Sequence, residues 1–138
     1  MHSIPAVLSF NKGDYILSGT DHHAVRIYDI HTLKCYIPPK EADHHQAGIT
    51  RVRYAPLANV FASSSIDGTI KIYDGVSSRC LNTIDKAHNG SAVTGIEFSK
   101  SGKYLLSTGN DNMGVLWDLT SGQVIVKYSG GTQRVIIT

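Results

Sequence analysis

An aromatic residue followed by aspartate ends a short apolar run three times along this 138-residue sequence. The pairs are Tyr28-Asp29, Tyr73-Asp74 and Trp117-Asp118, spaced 45 and 44 residues apart. A constant period of this length is typical of repeat proteins, whose units cannot bury their apolar faces alone and stack on their neighbours. The sequence therefore predicts three successive copies of one unit rather than a single independent core.

The same period appears at other positions of the repeat. The first apolar run of each copy ends on an aromatic residue, at Phe10, Tyr54 and Phe98. The second run ends in small polar residues, and the third (VRIYD, IKIYD, GVLWD) alternates with the period of a strand. Turn residues separate the runs, and no stretch has the pattern of an amphipathic helix. We predict an all-β fold of about three four-stranded antiparallel blades of the WD40-type β-propeller.

The predicted repeats span approximately residues 1–44, 45–87 and 88–130, and 131–138 is expected to be a truncated tail or the start of a further repeat. Closed propellers typically contain about four to eight blades, so three blades correspond to part of a ring. We expect a partial propeller. The sequence leaves open whether the chain is a fragment, a half ring that associates with itself, or a half ring completed by another chain.

Composition argues against several classes of partner. The 13 basic and 11 acidic residues give a net charge of only +2 without a basic stripe, which does not favour direct nucleic-acid binding. No apolar stretch approaches the ~20 residues of a membrane-spanning helix, so no membrane partner is expected. Cys35 and Cys80 lie at equivalent positions of two repeats and are predicted to be small buried residues with free thiols.

The third repeat contains a set of polar residues that can satisfy one another when buried: His88, Ser107, Asp111 and Trp117. An indole N–H only donates, a hydroxyl donates and accepts, a neutral imidazole does one of each, and a carboxylate accepts. We therefore expect a structural relay of hydrogen bonds that runs from Trp117 through Ser107 and His88 to Asp111.

The other two repeats depart from this set. The second repeat places His45, Ser63, Asp67 and Tyr73 at the same offsets, and the phenol in place of the indole predicts an altered or incomplete relay. The first repeat keeps Ser18 and Tyr28 but has His22 where the others have aspartate, and it shows no clear histidine upstream.

A serine, a histidine and an aspartate together also raise the hypothesis of a hydrolase. In such enzymes the serine oxygen is exposed beside an oxyanion hole, often on a strained turn, whereas here it lies inside a predicted strand and recurs in each repeat. The pairs His22-His23 and His44-His45 lack a recognised zinc-ligand spacing. We expect no enzyme activity, no catalytic or metal-binding residues, no cofactor and no small-molecule substrate.

The relay set resembles that of WD-repeat proteins, in which it is structural. Longer segments are similar to the family of WD-repeat subunits of the cleavage stimulation factor: YILSGTDHHAVRIYDI (15–30), IKIYDGVSSRC (70–80), KAHNG (86–90) and FSKSGKYLLSTGND (98–111). This resemblance implies a non-catalytic nuclear scaffold in pre-mRNA 3′-end cleavage and polyadenylation. It also implies a protein partner built of helical repeats, with RNA contacted only indirectly through the complex. The alternative is a WD-repeat scaffold of another pathway, such as a ubiquitin-ligase substrate receptor or a signalling platform.

Candidate partner contacts follow from the blade pattern. Residues just inside the first strand and just before the turn aspartate are expected to point to one rim: Ala6, Asp21, Thr50, Ile66, Thr94 and Asn110. Ile66 is the strongest candidate, because an apolar residue beside a tight Asp-Gly turn has little local reason to be there. Direct RNA binding through Arg26, Arg51, Arg53 and Lys71 is a second hypothesis, although such side chains are expected at blade edges.

Overall fold

The computed structural model describes residues 14–57 and 59–129, together with the backbone of residues 7–11. These residues form three four-stranded antiparallel sheets, and in each sheet the strands lie in chain order. The first sheet contains β1 (Val7–Asn11), β2 (Tyr15–Gly19), β3 (Arg26–Asp29) and β4 (Cys35–Tyr36). The second contains β5 (Ile49–Tyr54), β6 (Val60–Ser65), β7 (Ile70–Asp74) and β8 (Cys80–Ile84). The third contains β9 (Val93–Phe98), β10 (Tyr104–Gly109), β11 (Met113–Asp118) and β12 (Gln123–Ser129).

The predicted all-β class with propeller blades is confirmed. Each sheet falls within one of the expected repeat ranges, and one 3-10 turn (Glu41–Asp43) lies between the first and second sheets. Ala6 and the expected tail at 131–138 lie outside the described residues.

The three sheets pack face to face as successive blades. Leu17 and Ile27 of the first blade pack with Val52, Phe61 and Tyr73 of the second in one buried cluster. The opposite face of the second blade packs on the third blade in a separate buried cluster, which contains Ala62, Ile70, Ile72, Ile96, Leu105 and Trp117. The innermost strands are neighbours, since β1 contacts β5 and β5 contacts β9. Both faces of the second blade are therefore covered.

Antiparallel pairing places the loops at two opposite ends of the blades. We call the end with the β6–β7 and β10–β11 turns and the loops that enter β5 and β9 the upper rim. We call the end with the β5–β6, β7–β8, β9–β10 and β11–β12 turns the lower rim. The upper-rim turn of the second blade is closed by Asp67, which accepts a hydrogen bond from Thr69 N–H (2.9 Å), and by Gly68 at a φ of 87°.

The predicted burial of the two cysteines was wrong. Cys35 is exposed and Cys80 is half-buried, although both thiols are free. The physical reason is that the fourth strand forms the outer edge of each blade: both residues of β4 and most of those of β12 are exposed, and β8 buries only Ile84. Small side chains at that edge are therefore not evidence of a core position.

Candidate functional site

The relay residues of the third blade are in contact. Trp117 Nε1–H donates to Ser107 Oγ (2.9 Å), Ser107 lies 2.8 Å from His88 Nε2, and His88 Nδ1 lies 2.9 Å from Asp111 Oδ1. Because Asp111 accepts at Nδ1, the imidazole carries its proton there and accepts the Ser107 hydroxyl proton at Nε2. His88 and Ser107 are fully buried. Because buried polar atoms need hydrogen-bond partners, the relay supplies one for each ring nitrogen of His88 and for the hydroxyl of Ser107.

His88 lies in the connection between the second and third blades, and its ring lies close to the backbone of Gly109. A Cβ atom on Gly109 would overlap the ring and Cβ of His88. The second blade has Ser65 at the same strand position, so the sequence pattern alone did not indicate this requirement. The last residue of β10 therefore has to be glycine for the imidazole to occupy its place.

The second blade brings its four expected relay residues together, since the Tyr73 hydroxyl also interacts with that of Ser63. His45 Nε2 contacts Ser63 Oγ, and His45 Nδ1 lies 3.2 Å from Asp67 Oδ2 and 2.9 Å from Thr69 Oγ1. Burial lowers the pKa of His45 below its ordinary value, because desolvation outweighs the attraction of Asp67. Burial alone would raise the pKa of Asp67, but hydrogen bonds from His45, the Gln46 N–H and Thr69 hold it well below the ordinary value.

Tyr73 replaces the tryptophan of the relay, and its hydroxyl has a different hydrogen-bond acceptor. The phenol donates to the main-chain carbonyl of Asp43 (2.8 Å), which belongs to the 3-10 turn between the blades. The Asp43 carboxylate in turn accepts from Arg79 Nε (2.8 Å) and from Cys80 N–H (3.0 Å). The Arg79 guanidinium and then the Cys80 N–H lower the pKa of this carboxyl.

These contacts fasten the connecting segment across the outer strands of the second blade. Sequence reasoning missed Asp43 and Arg79, although tyrosine at a tryptophan position was a signal that the phenol needed another partner. Asp43 lies 30 residues from Tyr73 and 36 from Arg79, so no local pattern joins the three residues.

The first blade has the serine of the relay without its partners. Ser18 Oγ is buried and has no hydrogen-bond partner within the described chain. His22 is exposed, and only its main-chain N–H bonds nearby, to Thr20 Oγ1 (3.0 Å). Among the described residues, the third blade thus carries a complete relay, the second a relay that extends to a neighbouring segment, and the first only the serine.

The relay serines are in no position to attack a substrate. Ser63 and Ser107 are 0% exposed, and each hydroxyl is used by a histidine. Nucleophilic catalysis requires the serine oxygen to reach a substrate carbonyl, which a hydroxyl enclosed between two blades cannot do. The geometry supports a role in holding each blade to its connecting loop.

The remaining histidines have ordinary loop contacts. His44 Nε2 donates to the Pro38 carbonyl (2.9 Å), and exposed His31 lies 3.0 Å from Asp14. No group of three or more His, Cys, Asp or Glu side chains in the described ranges is arranged to hold a metal ion. Over those same ranges, no helix is long and apolar enough to cross a bilayer.

The residues that were expected to contact a partner differ in where they lie on the upper rim. Ile66 is 57% exposed, and its Cδ1 and the backbone of the exposed Asp21 both lie close to the position that a Cβ atom on Gly48 would occupy. Asp21 of the first blade and Ile66 of the second are thereby brought to the same stretch of rim. Thr94 and Asn110 are exposed on the third blade, and no hydrogen bond within the described residues links them to Ile66.

Thr50 is placed differently from the expectation. It is half-buried, and its hydroxyl donates to the Val93 carbonyl of the third blade (2.6 Å) while lying 2.8 Å from Ser64 Oγ. The side chain is therefore used to join two blades rather than to face a partner. We leave Thr50 out of the proposed contact surface for this reason.

The basic residues considered for RNA contact do not form a free surface. Lys71 is only 8% exposed and donates to Thr83 Oγ1 (3.1 Å). Arg53 pairs with Glu97 of the next blade, with 3.0 Å between Nε and Oε1. Two of the four candidate charges are thus engaged inside or between blades.

Repeating sheets, inter-blade relays and aromatic-Asp strand ends define the chain as WD-repeat propeller blades. The WD domain, G-beta repeat family matches residues 38–74 and 78–118, which is more than half of the chain. The chain belongs to this family, whose members mediate protein–protein interactions.

Three relatives illustrate the range of similar proteins. The chain is 35% identical over 78% of its length to cleavage stimulation factor subunit 50 of Arabidopsis thaliana, of which the matched part is 25%. It is 29% identical over 99% of its length to pre-mRNA-processing factor 19 of Mus musculus (27% of that protein). It is 27% identical over 90% of its length to COMPASS component SWD3 of Saccharomyces cerevisiae (41% of that protein). The chain thus spans about a quarter of the length of the first two relatives.

Proposed function

We propose that this chain is a non-catalytic protein-interaction scaffold of the cleavage stimulation complex, acting in nuclear pre-mRNA 3′-end cleavage and polyadenylation. Its partner in this proposal is another subunit of that complex, built of helical repeats, and RNA is reached only through the complex. The similarity to cleavage stimulation factor subunit 50 supports the pathway. The upper rim at Ile66 supports the interaction surface.

The exposed apolar side chain of Ile66 is the observation that carries the proposal. Its neighbours on the rim are small or polar, and the relays below it hold the β6–β7 turn rigidly through Asp67. A fixed apolar side chain surrounded by polar groups is the arrangement of a protein-contact hot spot, in which a polar rim surrounds a desolvated centre. Asp21, Thr94 and Asn110 are proposed as the polar part of this surface.

A scaffold of another pathway is the competing proposal, and the similarities to pre-mRNA-processing factor 19 and to COMPASS component SWD3 support it. The upper-rim surface is common to both proposals. They differ in which complex the chain enters.

The two proposals are separated by capture with purified components. The tagged chain is incubated with the purified helical-repeat subunit of the cleavage stimulation complex, and bound protein is measured at equilibrium. We expect Ile66→Asp to weaken this binding by at least about tenfold, because it places a charge in a desolvated contact. Failure of the unsubstituted chain to bind that subunit would remove the assignment to this complex.

Leu81→Asp is the matched control for Ile66→Asp. Leu81 is 61% exposed, similar to Ile66, but lies on the outer strand β8 away from the upper rim. Both variants should unfold at the same urea concentration as the unsubstituted chain, since neither side chain is buried. Equal binding losses for the two variants would show that Ile66 has no special place in the interface.

A further inference from the structure

A cavity of about 560 Å³ opens at the lower rim between the first and second blades. We call it the lower cleft. Its lining combines the ends of β2, β3 and β5 with the β7–β8 turn: Tyr15, Ile27, Asp29, Tyr36, Tyr54 and Phe61 are among its residues. A volume of this size is within the usual range of ~300–1,000 Å³ for a binding pocket. Neither the relays nor the upper rim uses these residues.

Aromatic and apolar groups form most of the cleft walls. Tyr15 is 36% exposed, Tyr36 is 46% exposed and Ile37 is 50% exposed, so their apolar surface faces the opening. Phe61 lies at the base, stacked on Tyr73 with ring centroids 4.8 Å apart and touched edge-on by Tyr54 at 5.7 Å. The aromatic rings are thus held in place by the core beneath them, and their faces can attract a cation.

Asp29 is the one charged residue among the described residues that line the cleft. Its Oδ1 accepts hydrogen bonds from the main-chain N–H groups of His31 (2.8 Å) and Thr32 (3.2 Å), and the Thr32 hydroxyl also hydrogen-bonds to the carboxylate. The two oxygens of a carboxylate together offer about four acceptor sites, so this group can accept a further donor. The N–H of His31 and then that of Thr32 lower the pKa of Asp29, so the carboxylate stays ionised at neutral pH. The described lining includes no Lys or Arg to neutralise it.

We propose that the lower cleft binds an arginine side chain presented by an extended segment of a partner protein. The guanidinium would lie against the tyrosine rings and donate to the carboxylate of Asp29. Arginine fits better than lysine, because its planar and weakly hydrated group both stacks on aromatic rings and forms directed hydrogen bonds to a carboxylate. The site lies on the rim opposite Ile66 and does not depend on which complex the chain joins.

The ligand side of the test uses immobilised libraries of nonapeptides with random flanks and one fixed central residue. The fixed residue is arginine, citrulline or glutamate. Citrulline keeps the shape of arginine but removes its charge. We expect retention of the 138-residue chain to be about tenfold greater on the arginine library than on either other library, since charge-assisted and cation–π contacts are lost with the charge. Equal retention on arginine and citrulline would overturn the proposal in favour of a neutral apolar occupant, and preference for glutamate would overturn it outright.

The protein side of the test uses two equivalent aspartates. Asp29→Asn removes the charge but leaves an amide oxygen that can keep the hydrogen bonds of His31 and Thr32. Asp118→Asn is the matched control, because Asp118 closes the same turn of the third blade by accepting from the Thr120 N–H (2.9 Å), and neither Asp118 nor that turn lines the cleft. We expect Asp29→Asn to abolish the preference for arginine and Asp118→Asn to preserve it.

Two further variants separate this site from the upper rim. Tyr36→Ala removes an exposed wall of the cleft and should weaken retention on the arginine library at least fivefold, because stacking on the ring is lost. Ile66→Asp should leave arginine retention unchanged even if it abolishes binding of the helical-repeat subunit. Loss of arginine retention in Asp118→Asn or in Ile66→Asp would show that the lower cleft is not the site. Persistence of arginine retention in Asp29→Asn would show the same.

Discussion

Ser18, Ser63 and Ser107 occupy the same position in successive blades, but their hydroxyls differ in how they are satisfied. Ser107 joins His88 to Trp117, and Ser63 contacts His45. Ser18 Oγ is buried with no partner in the part of the chain that the structure describes. An unpaired buried hydroxyl is itself destabilising, whereas removal of a bonded one strands its partners. Identical substitutions should therefore have different effects at the three positions.

We expect Ser107→Ala to lower the free energy of unfolding by about 2–3 kcal/mol, because it leaves His88 Nε2 and the Trp117 N–H buried and unpaired. Ser18→Ala, the matched control, should change the free energy of unfolding by less than about 0.5 kcal/mol or raise it. Urea unfolding followed by tryptophan fluorescence measures both. If Ser18→Ala lowers the free energy of unfolding as much as Ser107→Ala does, the Ser18 hydroxyl has a hydrogen-bond partner in solution.

For individual residues, the sequence predicted the hydrogen bonds where the donor and acceptor properties of the side chains allow only one arrangement. The donors and acceptors of Trp117, Ser107, His88 and Asp111 can be matched in one order, and the period supplied their spacing. The partner of Tyr73 could not be predicted, because a phenol can donate to any nearby oxygen. The oxygen that accepts this hydrogen bond is the main-chain carbonyl of Asp43, which belongs to a connecting segment without a repeat pattern.

The connecting segment around the 3-10 turn Glu41–Asp43 acts as a structural element of the second blade. It fixes the outer strands through Arg79 and Cys80, and it caps the core through Tyr73. The same segment continues into His45, whose imidazole lies over the β6–β7 turn. One stretch of loop therefore joins the outer edge of the blade to the turn that carries Ile66.

We expect Tyr73→Phe to lower the free energy of unfolding by about 1–2 kcal/mol, since the Asp43 carbonyl loses its buried donor. Tyr28→Phe changes the equivalent tyrosine of the first blade, which is only half-buried, and should have an effect within about 0.5 kcal/mol. The two variants are compared by urea unfolding at neutral pH. If they are equally stable, the hydrogen bond to Asp43 does not hold the segment.

The inner strands of the blades were easier to predict than their outer edges. Strands such as β7 contain branched apolar residues at alternate positions and end on an aromatic-Asp pair, and both features result from packing between blades. The fourth strand has little packing to impose a pattern. Apart from Ile84 of β8, its residues are exposed or half-buried. The expected burial of Cys35 and Cys80 was therefore wrong, while the twelve strands themselves could be anticipated.

The whole molecule is held together by contacts of each blade with the next. The second blade has an apolar cluster on each face, and polar contacts such as Arg53 with Glu97 cross to the third. In repeat proteins, stability is approximately a sum of the stabilities of the units and of their interfaces, so units with two interfaces open least often. We therefore expect the second blade to open least often among the described blades.

Thr50 tests this dependence between blades. Thr50→Val keeps the shape of the side chain but removes the hydrogen bonds to the Val93 carbonyl and to Ser64. Because the Val93 carbonyl then lacks a buried donor, we expect amide hydrogens of β9 and β10 to exchange faster, with an opening free energy lower by about 1–2 kcal/mol. Thr94→Val is the control, since the exposed Thr94 hydroxyl bonds Thr108 of its own blade, 3.0 Å away, and no other residue of the described part of the chain. Unchanged exchange in Thr50→Val, or an equal increase in Thr94→Val, would show that the third blade does not depend on this link to the second.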